Sequence, residues 1–190
     1  MKIWLTGGSG SGKSRIASLF AASGFVLVDA DAISRKIAEP DGAAYPELLA
    51  AFGPDFLLPD GRLDRRALGQ AVFTDPERLT VLNQISHKYI IAEMIRQGAG
   101  EKNVLMDAPL PNTFGVPCDK TLFVTAPQEV RIARIMARDG ISEEAARARI
   151  EAQVPDAVYE KMADAVLYNS GTFEETAEKA KKLIKEWYSA

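Results

Sequence analysis

The chain has 190 residues, of which 47% are hydrophobic and 26% charged, proportions of an ordinary globular protein, and its length favours a single domain over residues 1–190. A net charge of −3 argues against a surface built for nucleic acid or an anionic membrane, and the one cysteine excludes an intrachain disulfide or a cysteine-based zinc site. No apolar run approaches the roughly 20 residues that cross a bilayer, and the first residues lack a signal-peptide core, so we expect a cytoplasmic protein.

Short apolar runs alternate with longer helical patterns, which predicts an α/β fold with a doubly wound, mostly parallel sheet of about five strands. The predicted strands are Lys2–Thr6, Phe25–Asp29, Asn103–Asp107, Lys120–Thr125 and Ala163–Tyr168. The predicted helices cover residues 12–22, 74–98, 127–140 and 142–153, and a last helix opens with a capping box at residues 172–175. Residues 40–100 contain no convincing strand, and we expect them to form a helical insertion.

The first predicted strand runs directly into Gly7–Ser14, which matches the pattern G-x-x-x-x-G-K-[ST] in full. Glycines let successive backbone N–H groups turn toward phosphate oxygens, and the following helix adds the positive end of its dipole. Lys13 is expected to reach the β- and γ-phosphates of ATP, and the Ser14 hydroxyl to bind Mg²⁺. A plain glycine-rich turn would need neither residue, so we predict a phosphate-binding loop. The predicted nucleotide-binding residues are Gly8, Ser9, Gly10, Ser11, Gly12, Lys13, Ser14 and Arg15.

Acidic residues close the second and third predicted strands. In a doubly wound sheet, ligands bind beyond the carboxyl ends of the strands, where a carboxylate accepts a proton from a substrate hydroxyl or holds Mg²⁺. Asp31 is the preferred candidate for the base, whereas Asp29 is equally suited to cap the following helix. Asp107 is a candidate Mg²⁺ ligand, with a helix- or turn-capping role as its alternative.

Five arginines bring positive charge to the later part of the chain, namely Arg131, Arg134, Arg138, Arg147 and Arg149. Residues 138–142 are predicted to connect two helices and to serve as the hinge of a lid at about residues 138–160. Closure of such a lid would exclude water and bring guanidinium groups onto the transferring phosphoryl oxygens. Arg138, at the hinge, is the preferred candidate, and the alternative for the others is a solvated helix surface stabilised by i,i+4 pairs.

Taken together, these motifs resemble the dephospho-CoA kinase family over nearly the whole chain. The segments that carry the resemblance are residues 5–14, 29–31, 35, 52–53, 60–68, 72–73, 87, 107–110, 138–140, 153 and 169–171. The Asp-Ala-Asp at 29–31 and the Asp-Gly-Arg-Leu-Asp-Arg-Arg-Ala-Leu at 60–68 are more particular to this family than the phosphate loop is. The resemblance implies transfer of the γ-phosphoryl group of ATP to the ribose 3′-hydroxyl of dephospho-CoA, which gives CoA and ADP.

The resemblance also implies roles for single residues. It makes Asp31 the base facing the ribose hydroxyl, Arg138 a catalytic lid residue on the phosphates, and Asn169 a neighbour of the adenine of ATP. His87 favours a structural or surface role on its residues alone, but the resemblance places it in an acceptor site within the helical insertion at about 40–100. The implied acceptor-binding residues are Asp31, Arg35, His87, Pro109 and Leu110. We expect a monomer capable of at most weak self-association, with ATP and dephospho-CoA as its partners.

The sequence departs from the family pattern at three places. Pro111–Thr113 stands where the family continues with Leu, an aromatic residue and Glu, Lys88 stands where proline is usual, and Tyr168 stands where Asp commonly precedes the Asn. The first departure lies close to the implied acceptor site and keeps two alternatives open. One is a kinase of the same architecture with another acceptor, such as a nucleoside monophosphate, and the other is a degenerate ATP-binding module that regulates or scaffolds.

Overall fold

The computed structural model describes residues 1–109 and 115–189. Within them one sheet is formed by the strands β1 (Lys2–Thr6), β2 (Val26–Asp29), β3 (Val104–Asp107), β4 (Lys120–Thr125) and β5 (Ala165–Tyr168). The α-helices are α1 (Lys13–Ala22), α2 (Ala30–Ile37), α3 (Tyr45–Phe52), α4 (Arg65–Phe73), α5 (Pro76–Gln97), α6 (Gln128–Asp139), α7 (Glu143–Glu151), α8 (Asp156–Met162) and α9 (Phe173–Ser189). Each predicted strand is observed, and three begin one or two residues later than predicted.

The sheet has the strand order β2-β3-β1-β4-β5, which puts β1 at its centre. β1 pairs in parallel with β3 and β4, so that Leu5 lies opposite Asp107 on one side and Leu122 on the other. Consecutive residues of β1 are fully buried because helices cover both faces of the sheet. The predicted α/β fold with five parallel strands is therefore confirmed.

A hydrophobic core between the sheet, α1 and α9 fixes the helix that follows the phosphate loop. Ile16 and Phe20 of α1 have no exposed surface and belong to the same cluster as Ile3 of β1 and Ile184 of α9. Burying such side chains contributes roughly 1.5–3 kcal/mol each. The position of α1, and hence of the loop at its N-terminus, is set by this packing.

Two capping arrangements confirm helix boundaries predicted from the sequence. At α9, the Thr172 N–H donates to Glu175 Oε2 over 3.2 Å, and the Glu175 N–H donates to Thr172 Oγ1 over 3.3 Å, which is a reciprocal capping box. At α5, Asp75 Oδ1 accepts the N–H groups of Glu77 and Arg78 at 3.1 and 3.0 Å.

The chain divides into two compact units by its internal contacts. The first unit, residues 1–28 and 100–190, contains the phosphate loop, the sheet, α1 and α6 to α9. The second unit, residues 29–99, contains α2 to α5. It also contains an isolated antiparallel β-bridge between Leu57 and Leu63. Across the residues described, no helix has the length and apolar character required to cross a membrane.

Candidate active site

The loop between β1 and α1 has the backbone geometry of an anion site. Gly10 and Gly12 have φ angles of 77° and 88°, in the left-handed region that glycine adopts without steric cost. Gly12 is the N-cap of α1, and the first turn of that helix contains no acidic residue. The helix therefore presents the positive end of its dipole to the loop without a competing negative charge of its own. The exposed hydroxyl of Ser14 lies in the same first turn.

Lys13 and Asp107, both singled out from the sequence, meet directly. Lys13 Nζ forms an ion pair with Asp107 Oδ1 at the carboxyl end of β3. The two side chains are 23% and 11% exposed, so the pair lies at the edge of the core rather than free in solvent. The loop lysine is thus paired with a carboxylate at the end of a neighbouring strand.

The two predicted Mg²⁺ ligands carry oxygen donors that suit a hard cation. The Ser14 hydroxyl and the Asp107 carboxylate supply the kind of oxygen ligands that Mg²⁺ prefers. The described part of the chain contains no group of three or more His, Cys, Asp or Glu residues able to hold a metal ion by themselves. A magnesium ion here would need phosphate and water oxygens to complete its coordination, which is the usual arrangement when the ion arrives with a nucleotide.

Asn169 holds the phosphate loop from the side of β5. Its side chain is buried, and Nδ2 donates to the Ser11 carbonyl over 2.7 Å while Oδ1 accepts from Thr176 Oγ1 over 3.0 Å. Arg134 adds bonds from Nη1 to the Gly10 carbonyl at 3.2 Å and from Nη2 to the Asn169 carbonyl at 3.0 Å. Both polar groups of the Asn169 side chain therefore have protein partners, and its expected adenine contact stays a prediction.

The exposed residue Arg15 stacks on an aromatic ring that the sequence analysis did not single out. Its guanidinium carbon lies 3.6 Å from the centroid of the Phe173 ring, a cation–π contact between α1 and α9. The signal for Phe173 was its place directly after the capping threonine, where an aromatic residue begins the last helix.

Arg138 was the preferred arginine of α6 in the sequence analysis, but the arginines that contact the phosphate loop are two others. Arg138 makes a two-pronged pair with its neighbour Asp139 at 2.7 and 2.8 Å, and this hydrogen bonding lowers the pKa of Asp139 to about 2. Its side chain is 60% exposed, and Asp139 is its ion-pair partner. Arg131 and Arg134 bind loop carbonyls instead. These two arginines are three residues apart and therefore lie on the same face of the helix, a signal that was present in the sequence.

In the second unit, the acid that ends β2 and the acid two residues later have different environments. Asp29 is the N-cap of α2, and its Oδ1 accepts the N–H groups of Asp31 and Ala32 at 2.8 and 3.0 Å, which confirms the capping alternative for Asp29. The exposed Asp31 carboxylate lies in the first turn of α2 and accepts no hydrogen bond from any residue of the described ranges. Of the two carboxylates, Asp31 is the one not committed to the helix.

The second unit also contains a cavity of about 300 Å³ between its helices. Its polar lining comes from Ser34, Arg65, Asn83, Ser86 and His87, and the rest is mainly apolar. Burial lowers the pKa of His87 below its usual value, so the imidazole is neutral at pH 7. The sequence-predicted His87 thus lines a concave, mixed-polarity pocket of the kind that holds small molecules. The exposed Arg35, on α2, does not line it.

The remaining predicted acceptor residues follow β3. Pro109 is exposed, and its carbonyl accepts a hydrogen bond from Thr6 Oγ1 in the first unit. Leu110 and the Pro111–Thr113 departure lie outside the described residues.

Comparison with known proteins gives one consistent result. The family model described as dephospho-CoA kinase matches residues 1–175. A dephospho-CoA kinase of Corynebacterium glutamicum is 41% identical over 193 residues, covering 98% of this chain and 99% of that protein. Among solved structures, TT1252 from Thermus thermophilus superposes with a TM-score of 0.84 at 35% identity over 98% of this chain and 97% of that chain. The dephospho-CoA kinase from Campylobacter jejuni superposes with a TM-score of 0.71 at 27% identity over the same shares of the two chains.

The class of protein follows from the fold and the site. A P-loop small-molecule kinase, an ATP-dependent phosphotransferase, has a parallel sheet, a complete phosphate loop whose lysine pairs with a strand-end carboxylate, and a helical second unit, and this chain has all of them. Within that class, the chain belongs to the dephospho-CoA kinase family, which confirms the resemblance stated from the sequence. It is accordingly an enzyme of coenzyme A biosynthesis.

Proposed function

We propose that this chain transfers the γ-phosphoryl group of ATP to the ribose 3′-hydroxyl of dephospho-CoA, with CoA and ADP as products. The observation that carries the proposal is the Lys13–Asp107 ion pair beneath a complete phosphate loop, in a chain of this family. Phosphoryl transfer needs little covalent chemistry from the protein, since it depends on positioning and on stabilising the charge of the transferring group. The chain has residues suited to each of these tasks.

On the nucleotide side, N–H groups of the loop from Gly8 to Ser14 would bind the phosphates, apart from those of Ser9 and Ser11, which donate to Gln153 Oε1 and to the Gly8 carbonyl. Lys13 would exchange the Asp107 carboxylate for β- and γ-phosphate oxygens, so that its charge faces the group being transferred. Asp107 and Ser14 would then hold Mg²⁺, which neutralises phosphate charge when it is bound. The support is the oxygen donor set described above and the anion-binding N-terminus of α1.

On the acceptor side, Asp31 would take the proton of the 3′-hydroxyl and orient that oxygen toward the γ-phosphorus. A base must have a carboxylate free to accept, and Asp29, not Asp31, caps α2. The exposed Asp31 lies two residues after the end of β2, in the first turn of α2. Both features support the assignment.

The second unit would act as the acceptor-binding region, and its cavity would receive part of dephospho-CoA. The neutral imidazole of His87 would donate or accept a hydrogen bond there but would add no positive charge at pH 7. Arg65, which donates to the Ser34 carbonyl over 3.2 Å at the wall of the cavity, is the permanent cation of this pocket. The proposal also includes acceptor contacts from three further residues predicted from the sequence, Arg35, Pro109 and Leu110.

The lid would comprise residues 138–160, with Arg138 moving from Asp139 to the phosphates on closure. Its support is a small apolar cluster formed by Ile132, Ile135 and Ala146, which joins α6 to α7 separately from the main core. Closure would move Arg138 and α7, whereas Gln153 and Asp156, in the same range, would keep their hydrogen bonds to Ser9 and Arg131. Cytoplasmic location and a monomeric state belong to the same proposal.

An acceptor panel tests the proposed activity. With Mg·ATP, we expect dephospho-CoA to give a kcat/KM at least about 100-fold above those of AMP, CMP and shikimate, because a polar site rejects acceptors that leave its groups unpaired. ADP release is the measurement, and chelation of Mg²⁺ should abolish it. Preferential turnover of another acceptor would establish the alternative kinase. Binding of ATP without transfer to any acceptor would establish the degenerate module.

The lowered pKa of His87 predicts an acid-sensitive fold. Because the folded state disfavours the charged imidazole, the unfolded state binds the proton more readily. The stability that depends on neutral His87 is complete above the ordinary pKa of about 6.5 and is lost as the pH falls below it. We expect His87→Gln to show a smaller drop in melting temperature than wild type between pH 7.5 and 5. Equal drops in the two proteins would contradict the prediction.

A further inference from the structure

A buried guanidinium lies against the phosphate loop and does not belong to any role assigned above. The side chain of Arg131 is 5% exposed. Its Nε donates to the Ser9 carbonyl over 2.9 Å, Nη2 to Gln153 Oε1 over 3.0 Å, and Nη1 to Asp156 Oδ1 over 3.0 Å. A planar guanidinium serves three acceptors in fixed directions, which a lysine ammonium on a flexible stem does not do.

Gln153, in the connection between α7 and α8, completes the hold on Ser9. Its Oε1 accepts the Ser9 N–H over 3.0 Å, and its Nε2 donates to Ser9 Oγ over 3.0 Å. Two side chains thus bind the amide, hydroxyl and carbonyl groups of one loop residue. Because Oε1 also accepts from Arg131, the orientation of the Gln153 amide is set by the arginine.

The packing around this contact leaves the loop little freedom to move. A β-carbon at Gly8 would collide with Arg131 Nη2 and with Gln153 Oε1, and one at Gly10 would collide with the Arg131 backbone. The charge of Arg131 is matched by Asp156, whose other oxygen accepts from Thr125 Oγ1 at the end of β4 over 2.5 Å. The contact therefore joins the loop to α6, to α8 and to the sheet.

Glycine-rich segments lose more conformational entropy on ordering than others, so an ordered phosphate loop is costly to maintain. A binding site that is ordered before its ligand arrives does not spend binding free energy on ordering. We infer that Gln153, aligned by Arg131, is a positioning residue for the nucleotide, because it fixes the Ser9 peptide and with it the direction of the neighbouring loop N–H groups. This inference rests on the proposed role of the loop in binding ATP.

The test is Gln153→Ala, with Gln128→Ala as the matched control on the exposed first residue of α6. For Gln153→Ala we expect the Kd of Mg·ATP by calorimetry, and the KM for ATP, to rise about tenfold, as the loss of a pair of hydrogen bonds allows. The KM for dephospho-CoA and the kcat at saturating ATP should stay within about threefold of wild type, since the acceptor and the reacting groups are not touched. Gln128→Ala should match wild type in every parameter.

Arg131→Lys provides a second variant that retains a cation beside Asp156. As in Gln153→Ala, ATP binding should be weaker and the KM for dephospho-CoA unchanged, because the lysine cannot hold Ser9 and Gln153 together. Wild-type affinity for Mg·ATP in Gln153→Ala would overturn the inference. Equal losses for both substrates together with a large fall in melting temperature would also overturn it, since they indicate a purely structural contact. Failure of wild type itself to bind Mg·ATP would instead refute the proposed loop function.

Discussion

Lys13→Ala is expected to lower kcat/KM for ATP by at least about 10³-fold. The transferring phosphoryl group carries spread negative charge, and removal of one preorganised donor from a transition state costs about 10²–10³ in rate even without a formal charge. Lys13 would supply a full positive charge to the β- and γ-phosphates, so its loss affects both binding and transfer. Steady-state ADP release with dephospho-CoA as acceptor measures the effect.

The matched control is Lys182→Ala, which removes a lysine whose side chain is 80% exposed on α9. This variant should retain wild-type kcat/KM, because a solvent-exposed charge pair contributes little. Lys13→Ala also removes the cation that pairs with Asp107, so its melting temperature should be recorded. A folded Lys13→Ala protein with kcat/KM within tenfold of wild type would contradict the assignment of Lys13.

Asp31→Asn is expected to lower kcat by about 10²–10⁴-fold, the usual contribution of a general base. The amide is isosteric with the carboxylate but cannot take the proton of the ribose hydroxyl. The KM for ATP should change little, because the proposed site of the nucleotide phosphates is the loop and not Asp31. Initial rates at saturating concentrations of both substrates measure the effect.

Asp29→Asn is the control for Asp31→Asn: it removes a neighbouring carboxylate but keeps the cap of α2 and the carboxylate of Asp31. Asn caps a helix about as well as Asp does, so this variant keeps the bonds to the N–H groups of Asp31 and Ala32. We expect its kcat to stay within about threefold of wild type. Near-normal kcat in Asp31→Asn would remove the base assignment but would leave the kinase function in place.

The fold was predictable because its signals are local. Each strand is a short apolar run, and the loop motif at residues 7–14 predicts a strand before it and a helix after it. The capping box at Thr172 and the Asp75-Pro76 start of α5 depend on contacts within four residues. Such features need no knowledge of the rest of the chain.

The parts of the site that escaped prediction depend on contacts between distant residues. Gln153 and Ser9 are 144 positions apart, and Asn169 and Ser11 are 158 apart, so periodicity carries no information about either pair. Which of Asp29 and Asp31 caps α2 depends on the residue at which the helix begins, and helix boundaries are the least certain part of a sequence-based prediction. The preference for Arg138 followed the expected hinge, whereas the loop contacts come from Arg134 and Arg131, one and two turns earlier on α6.

The central position of β1 has a consequence for how this protein is made. Its two neighbours in the sheet begin at Val104 and Lys120, so β1 leaves the ribosome long before either is available. At roughly 5–20 residues per second, an apolar strand and its glycine-rich loop wait on the order of ten seconds for their neighbours. Pairings so distant in sequence also fold slowly. During that interval β1 has neither of its strand partners, and the residues that hold the phosphate loop, Arg131, Gln153 and Asn169, are synthesised later still.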